Sequence, residues 1–118
     1  MAQNASIPNR LRIASTGKIQ YVDVASILYC TGDNNYTEIY VLGNDNAIVC
    51  SKTLKKMETE LNSPLFFRIS KQNLVNLVFV KKYVRENGGC AFLVDGTKLH
   101  VARRRRKAFL EAWRLKNL

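Results

Sequence analysis

Through most of this chain, apolar residues recur at every second position, in short runs broken by glycine, asparagine and aspartate. A period of two sends alternate side chains to opposite faces of a strand, so the pattern confines the chain largely to antiparallel sheet. The strongest instance is Ala91-Phe-Leu-Val94, then Asp95-Gly96, then Thr97-Lys-Leu-His-Val101. Asp-Gly between two alternating runs is a hairpin signal, because both positions accept left-handed backbone. In the second run Leu99 and Val101 face one way, Lys98 and His100 the other.

The same reading extends upstream. Leu11 with Ile13, Ile19 with Tyr21, and Ile27 to Tyr29 read as short strands, the last two separated by the Asp23-Val-Ala-Ser26 step. Gly32 to Tyr36 forms a turn-rich loop. After it, Thr37, Ile39 and Val41 share one face, and Tyr36, Glu38 and Tyr40 the other. Gly43 to Asn46 turns the chain into Ala47-Ile-Val-Cys50, which completes a hairpin. The period then changes. Leu54, Met57, Glu58 and Leu61 follow helical spacing, with Ser51 or Thr53 as N-cap and Asn62-Ser-Pro64 as the stop. Phe66 to Leu77 predicts a strand end, a short helical turn at Ser70 to Asn73 and a return to strand. Val78, Val80 and Val84 predict one further strand, Asn87-Gly88-Gly89 a turn, and the stretch from about Arg103 a C-terminal helix with Phe109, Ala112 and Trp113 on one stripe. The expectation is a mainly β (α+β) domain over residues 10–118, preceded by a flexible segment at 1–9.

Charge narrows the partner. The net charge of +10 is segregated. Residues 1–62 balance Arg10, Arg12, Lys18, Lys52, Lys55 and Lys56 against six acids, whereas residues 63–118 set thirteen Lys and Arg against Glu86, Asp95 and Glu111. A one-sided positive field attracts a polyanion, and nucleic acid leads that class. A basic protein- or membrane-interaction module and an RNA-binding domain are the alternatives. RNA readers stack bases on exposed aromatic rings, and few exposed aromatics are expected in the basic site. No apolar run approaches the ~18 residues a membrane span needs. The start lacks the unbroken apolar stretch of a secretion signal, so a cytoplasmic protein is expected.

Catalysis lacks parts. His100 is the single histidine, and no nucleophile elbow, phosphate loop or zinc-protease motif occurs. Cys30, Cys50 and Cys90 are widely spaced, form no C-x-x-C pair, and read as buried thiols. No enzyme, no metal site and no cofactor are expected.

The run Arg103 to Lys107 is informative because its position disfavours stability. Cations at a helix N-terminus oppose the macrodipole, at roughly 0.3–1 kcal/mol each. Ala102 offers no capping side chain. Helical geometry sets Arg105 and Arg106 above the apolar stripe, their stems covering it, and gathers Arg103, Arg104 and Lys107 on the outer face. Two further places carry side chains suited to base edges: Asn34, Asn35 and Thr37 at the mouth of a hairpin, and Lys71, Gln72 and Asn73 in a polar turn between apolar runs.

Four segments in order, ILYCTGDNNYTEIY, SKTLKKMETEL, FFRISKQNLVNL and LVDGTKLHVARRRRKAF, resemble the LytTR DNA-binding domain, the output module of many bacterial response regulators. The resemblance runs from about Leu11 to Leu110. It implies an elongated arrangement of antiparallel sheets with short helices, transcription regulation, and loops that enter successive major grooves of double-stranded DNA and bend it. It also implies sites arranged as paired direct repeats, occupied by two copies side by side. Carried onto this sequence, the contacts are Asn34, Asn35 and Thr37, then Ser70, Lys71 and Gln72, then Arg103 and Arg104, with Lys107 beside them. The chain departs from the family where Ser70 replaces a frequent His, Gln72 a frequent Ser and Ala102 the usual Ser, so its sequence preference is expected to differ. These 118 residues contain no receiver core, so an excised output domain or a stand-alone regulator is expected.

Overall fold

The computed structural model describes residues 10–15 and 17–118. The flexible segment expected at 1–9 lies outside the described residues. Ten strands and two α-helices follow in the order β1 (Arg10–Ser15), β2 (Lys18–Asp23), β3 (Ile27–Asp33), β4 (Tyr36–Val41), β5 (Ile48–Cys50), α1 (Leu54–Leu61), β6 (Phe66–Arg68), β7 (Asn73–Asn76), β8 (Val80–Val84), β9 (Cys90–Leu93), β10 (Lys98–His100) and α2 (Arg106–Lys116). They build a hairpin β1-β2, a central sheet β5-β4-β3-β7-β6 and a sheet β10-β9-β8, with every pairing antiparallel.

The inner strands β3 and β7 are buried on both faces, as the near-continuous runs Ile27–Cys30 and Leu74–Asn76 allow. Ile27, Cys30, Ile39, Cys50 and Leu74 pack beneath the β1-β2 hairpin and α1, with Leu11, Ile13, Met57 and Leu61. Leu28, Tyr29, Phe67 and Val75 face the other way, toward β8 to β10 and α2, with Leu93, Leu99 and Phe109. A bulge between Ile27 and Tyr29 shifts the register of β3 against β4. That extra residue places Leu28 and Tyr29 together in the second core, while Ile27 and Cys30 stay in the first. Helix α1 starts where Thr53 accepts a hydrogen bond from Lys56 N at 3.1 Å and stops at Asn62, whose left-handed backbone ends it.

Two local expectations need correction. The Ser70 to Asn73 stretch is a bend, not a helical turn, because Ser70 Oγ accepts from both Gln72 N (3.3 Å) and Asn73 N (3.1 Å) and holds it open. Val78 is 56% exposed and belongs to a 3-10 turn at Leu77–Phe79, outside β8. That turn is started by Asn76, a fully buried side chain that accepts from Val78 N and donates to the carbonyl of Ile27.

All three cysteines are free and buried, as their apolar surroundings predict. Burial pushes the Cys30 thiol up to about 12. A thiol reagent at pH 8 is therefore expected to label Cys30 only as fast as the domain unfolds, and labelling within the mixing time would contradict this burial.

Candidate nucleic-acid interface

Three segments outside the cores present cations and amides. The first is the tight turn between β3 and β4. Asn34 sits at φ 55°, a conformation Asn tolerates, and both Asn34 and Asn35 are exposed. Thr37 is different: it is fully buried, and its hydroxyl donates to the carbonyl of Lys52 at 2.7 Å. Its place is beneath the loop, pinning β4 to the segment that leads into α1.

The second segment is the bend between β6 and β7. Lys71 and Gln72 are exposed, while the oxygen of Ser70 is taken up by the backbone of its own bend. Asn73, at the start of β7, accepts from Thr31 Oγ1 at 2.8 Å and so serves the sheet. The third segment is a 3-10 turn at Arg103–Arg105 that runs into α2. No side chain caps it and no acid lies in its first turn, so the adverse dipole read from the sequence is present in the fold.

Backbone hydrogen bonds join the three. Gly32 N donates to Gln72 O at 2.8 Å, tying the first loop to the bend, and Ala102 N donates to Ile69 O at 2.9 Å, tying the bend to the basic run. The loop and the bend share one open groove lined by Asn34, Lys55, Lys71 and Gln72, with Asp33 also in its wall. Lys107 is exposed on the first turn of α2, with no hydrogen bond to the other segments.

The arginines separate, but Arg105 and Arg106 do not cover the α2 stripe as helical spacing predicted, because Arg103–Arg105 form a 3-10 turn that aims them elsewhere. Arg105 lies over the Phe67 ring, its guanidinium carbon 4.7 Å from the centroid, and its Nε donates to Arg68 O at 2.9 Å. Arg106 is half-buried over the Gly88-Gly89 turn. Arg103 and Arg104 are exposed. Among the described residues the ion pairs are Lys52–Glu60, Arg68–Glu58 and Arg114–Glu111, so Lys55, Lys71, Arg103, Arg104 and Lys107 all keep their charge uncompensated. Arg114 does not, because Glu111 holds its guanidinium at 2.8 Å and has its own carboxyl pulled down in return.

Residue chemistry alone missed Lys55 and Arg68. Lys55 follows the N-cap of α1 and reaches the groove only because α1 packs beside β3. Among the described residues, no group of three or more His, Cys, Asp and Glu lies close enough to hold a metal ion. No helix among the described residues is long and apolar enough to cross a membrane.

A sheet framework that carries cationic and amide-bearing turns on linked edges, with few acids among them, defines an anion-binding domain of antiparallel β type. The profile of the LytTr DNA-binding domain matches residues 17–114, and the chain belongs to that family of DNA-binding, non-catalytic domains. A solved LytTr DNA-binding domain from Bacillus cereus, described as belonging to a methyl-accepting/DNA response regulator, has the same fold. It superposes with a TM-score of 0.74 at 14% identity, covering 89% of this chain and 96% of that one. Curated proteins yield no significant match.

Proposed function

We propose that the domain binds double-stranded DNA sequence-specifically and regulates transcription as the output domain of a bacterial response regulator, downstream of a receiver or sensor partner. The observation that carries this reading is the backbone linkage of three exposed segments, through Gly32–Gln72 and Ala102–Ile69, into one cationic surface. Asn34 and Asn35, Lys71 and Gln72, and Arg103 and Arg104 enter successive major grooves on one side of the duplex. Arg104 reads a base edge, Lys107 and Lys55 sit against phosphates, and Thr37 and Ser70 shape the loops that bear the contacts. Two copies occupy paired direct repeats.

Selection from random duplex DNA tests this. The expected outcome is one motif, repeated in the same direction at a fixed spacing. Recovery of no motif, with equal retention on acidic peptides or anionic vesicles, would leave only a general basic module. Better retention of single-stranded RNA would instead assign the exposed Tyr36 ring to base stacking. On the selected site, Arg104→Ala is expected to cost about 1–3 kcal/mol and to relax preference at one position. Lys81→Ala should weaken every sequence alike. Indistinguishable profiles for the two variants would remove the base-reading role from Arg104.

A further inference from the structure

The bend that carries Lys71 and Gln72 has no regular structure to fix its direction, and the turn that carries Arg103 and Arg104 is a single uncapped 3-10 turn. Arg68 holds the first with its side chain and meets the second with its main-chain carbonyl. The Arg68 guanidinium donates through Nε to Ser70 O at 2.9 Å and through Nη2 to Lys71 O at 2.7 Å. Its third nitrogen, Nη1, meets Glu58 Oε1 on α1 at 3.1 Å. Its own carbonyl accepts from Arg105 Nε, the residue directly after Arg104. Each of its three nitrogens thus has one partner within the protein, two carbonyls and a carboxylate, and the side chain forms part of the wall of the groove shared by Asn34, Lys71 and Gln72.

We propose that Arg68 is a positioning residue for DNA recognition. Its side chain holds the Ser70-Lys71 bend to α1 and so orients Lys71 and Gln72, without itself touching DNA, while its main-chain carbonyl, kept in any variant, receives Arg105. Glu58 is its anchor. The inference rests on the DNA-reading function proposed above. The carbonyls of Ser70 and Lys71 belong to a surface turn, so water satisfies them once Arg68 is gone. The half-exposed pair with Glu58 adds little to stability. The loss therefore falls on the order of the turn before binding and not on the fold. Lysine does not substitute, because a point charge on a flexible stem cannot hold two carbonyls at fixed angles.

The test compares wild type, Arg68→Ala, Arg68→Lys and Glu58→Gln on the selected duplex and on a duplex of random sequence, across a salt series, with a thermal melt of each protein. Specific affinity is expected to fall about tenfold or more for both Arg68 variants, and by a smaller factor for Glu58→Gln. Random-duplex affinity should stay within about twofold, and the log–log salt slope should not change. If Arg68→Ala melts below the assay temperature, the lysine and glutamine variants carry the comparison. A loss shared by both duplexes, with a slope shallower by about 0.9 per lost contact, would make Arg68 a phosphate ligand and overturn the proposal. So would specific affinity unchanged in Arg68→Lys, or a loss that merely follows the melting temperature. A wild type that discriminates while its Arg68 variants match it sinks the positioning role alone. A wild type that discriminates nothing removes the DNA-reading function, and this inference with it.

Discussion

Raising salt from about 50 to about 200 mM is expected to weaken binding to duplex DNA about a thousandfold, with log K falling at a slope near −5 against log salt. The slope counts cations that replace condensed counterions on the phosphates, at about 0.9 for each phosphate neutralised, so this value corresponds to about six. The structure supplies a count of that order. Lys55, Lys71, Arg103, Arg104 and Lys107 are exposed and outside every ion pair among the described residues, and further lysines such as Lys81 lie on the same basic half of the chain. Lys52, Arg68 and Arg114 are already matched to carboxylates and should not contribute. Fluorescence anisotropy of a labelled duplex across a chloride series measures the slope directly. A slope shallower than about −2 would mean that most of these cations stay in solvent when DNA binds, and the proposed interface would be wrong.

Phe109→Ala should cost about 3–5 kcal/mol of folding stability, a large part of the 5–15 kcal/mol typical of a domain. The ring is fully buried, and three aromatic rings surround it: Phe67 edge-on with centroids 6.0 Å apart, Tyr83 tilted at 5.9 Å and Trp113 stacked at 5.9 Å. Four large side chains from β6, β8 and α2 meet at one point, so the walls cannot collapse into the space a methyl group leaves. Chemical denaturation of the two proteins gives the difference, read as a shift in midpoint at constant slope. A loss below about 1 kcal/mol would show that α2 is peripheral to the second core. Phe67 also carries Arg105 on its outer face, so this cluster supports the basic run from below.

How much of this was legible in sequence depended on how local each signal was. Alternation placed Thr37 correctly, on the face of Ile39 and Val41, and burial of that face commits its hydroxyl to the carbonyl of Lys52. The residue type pointed to a contact and the pattern to the core, and the pattern won. The adverse charge at the start of α2 was readable because capping and dipole effects act within one turn. Arg68 was not readable. In Phe66-Phe67-Arg68 it looks like the polar end of a strand, and its partners are a carboxylate ten residues upstream and a guanidinium 37 residues downstream. Asn76 hid in the same way: its amide reaches a carbonyl 49 residues away, and only the fold brings Ile27 beside it.

The two bonds that join the three segments, Gly32 N to Gln72 O and Ala102 N to Ile69 O, run from main chain to main chain. Neither depends on which side chains stand at 34, 35, 71, 72, 103 or 104. The frame and the lettering are therefore inherited separately. On the proposed reading, substitutions at the tips change the DNA sequence bound without a compensating change in the scaffold, while a proline at Gly32 or Ala102 would remove a linking N–H and disturb the surface whatever the target. A DNA-binding domain built this way can change its tips while its architecture stays put, which fits a shared fold at 14% identity.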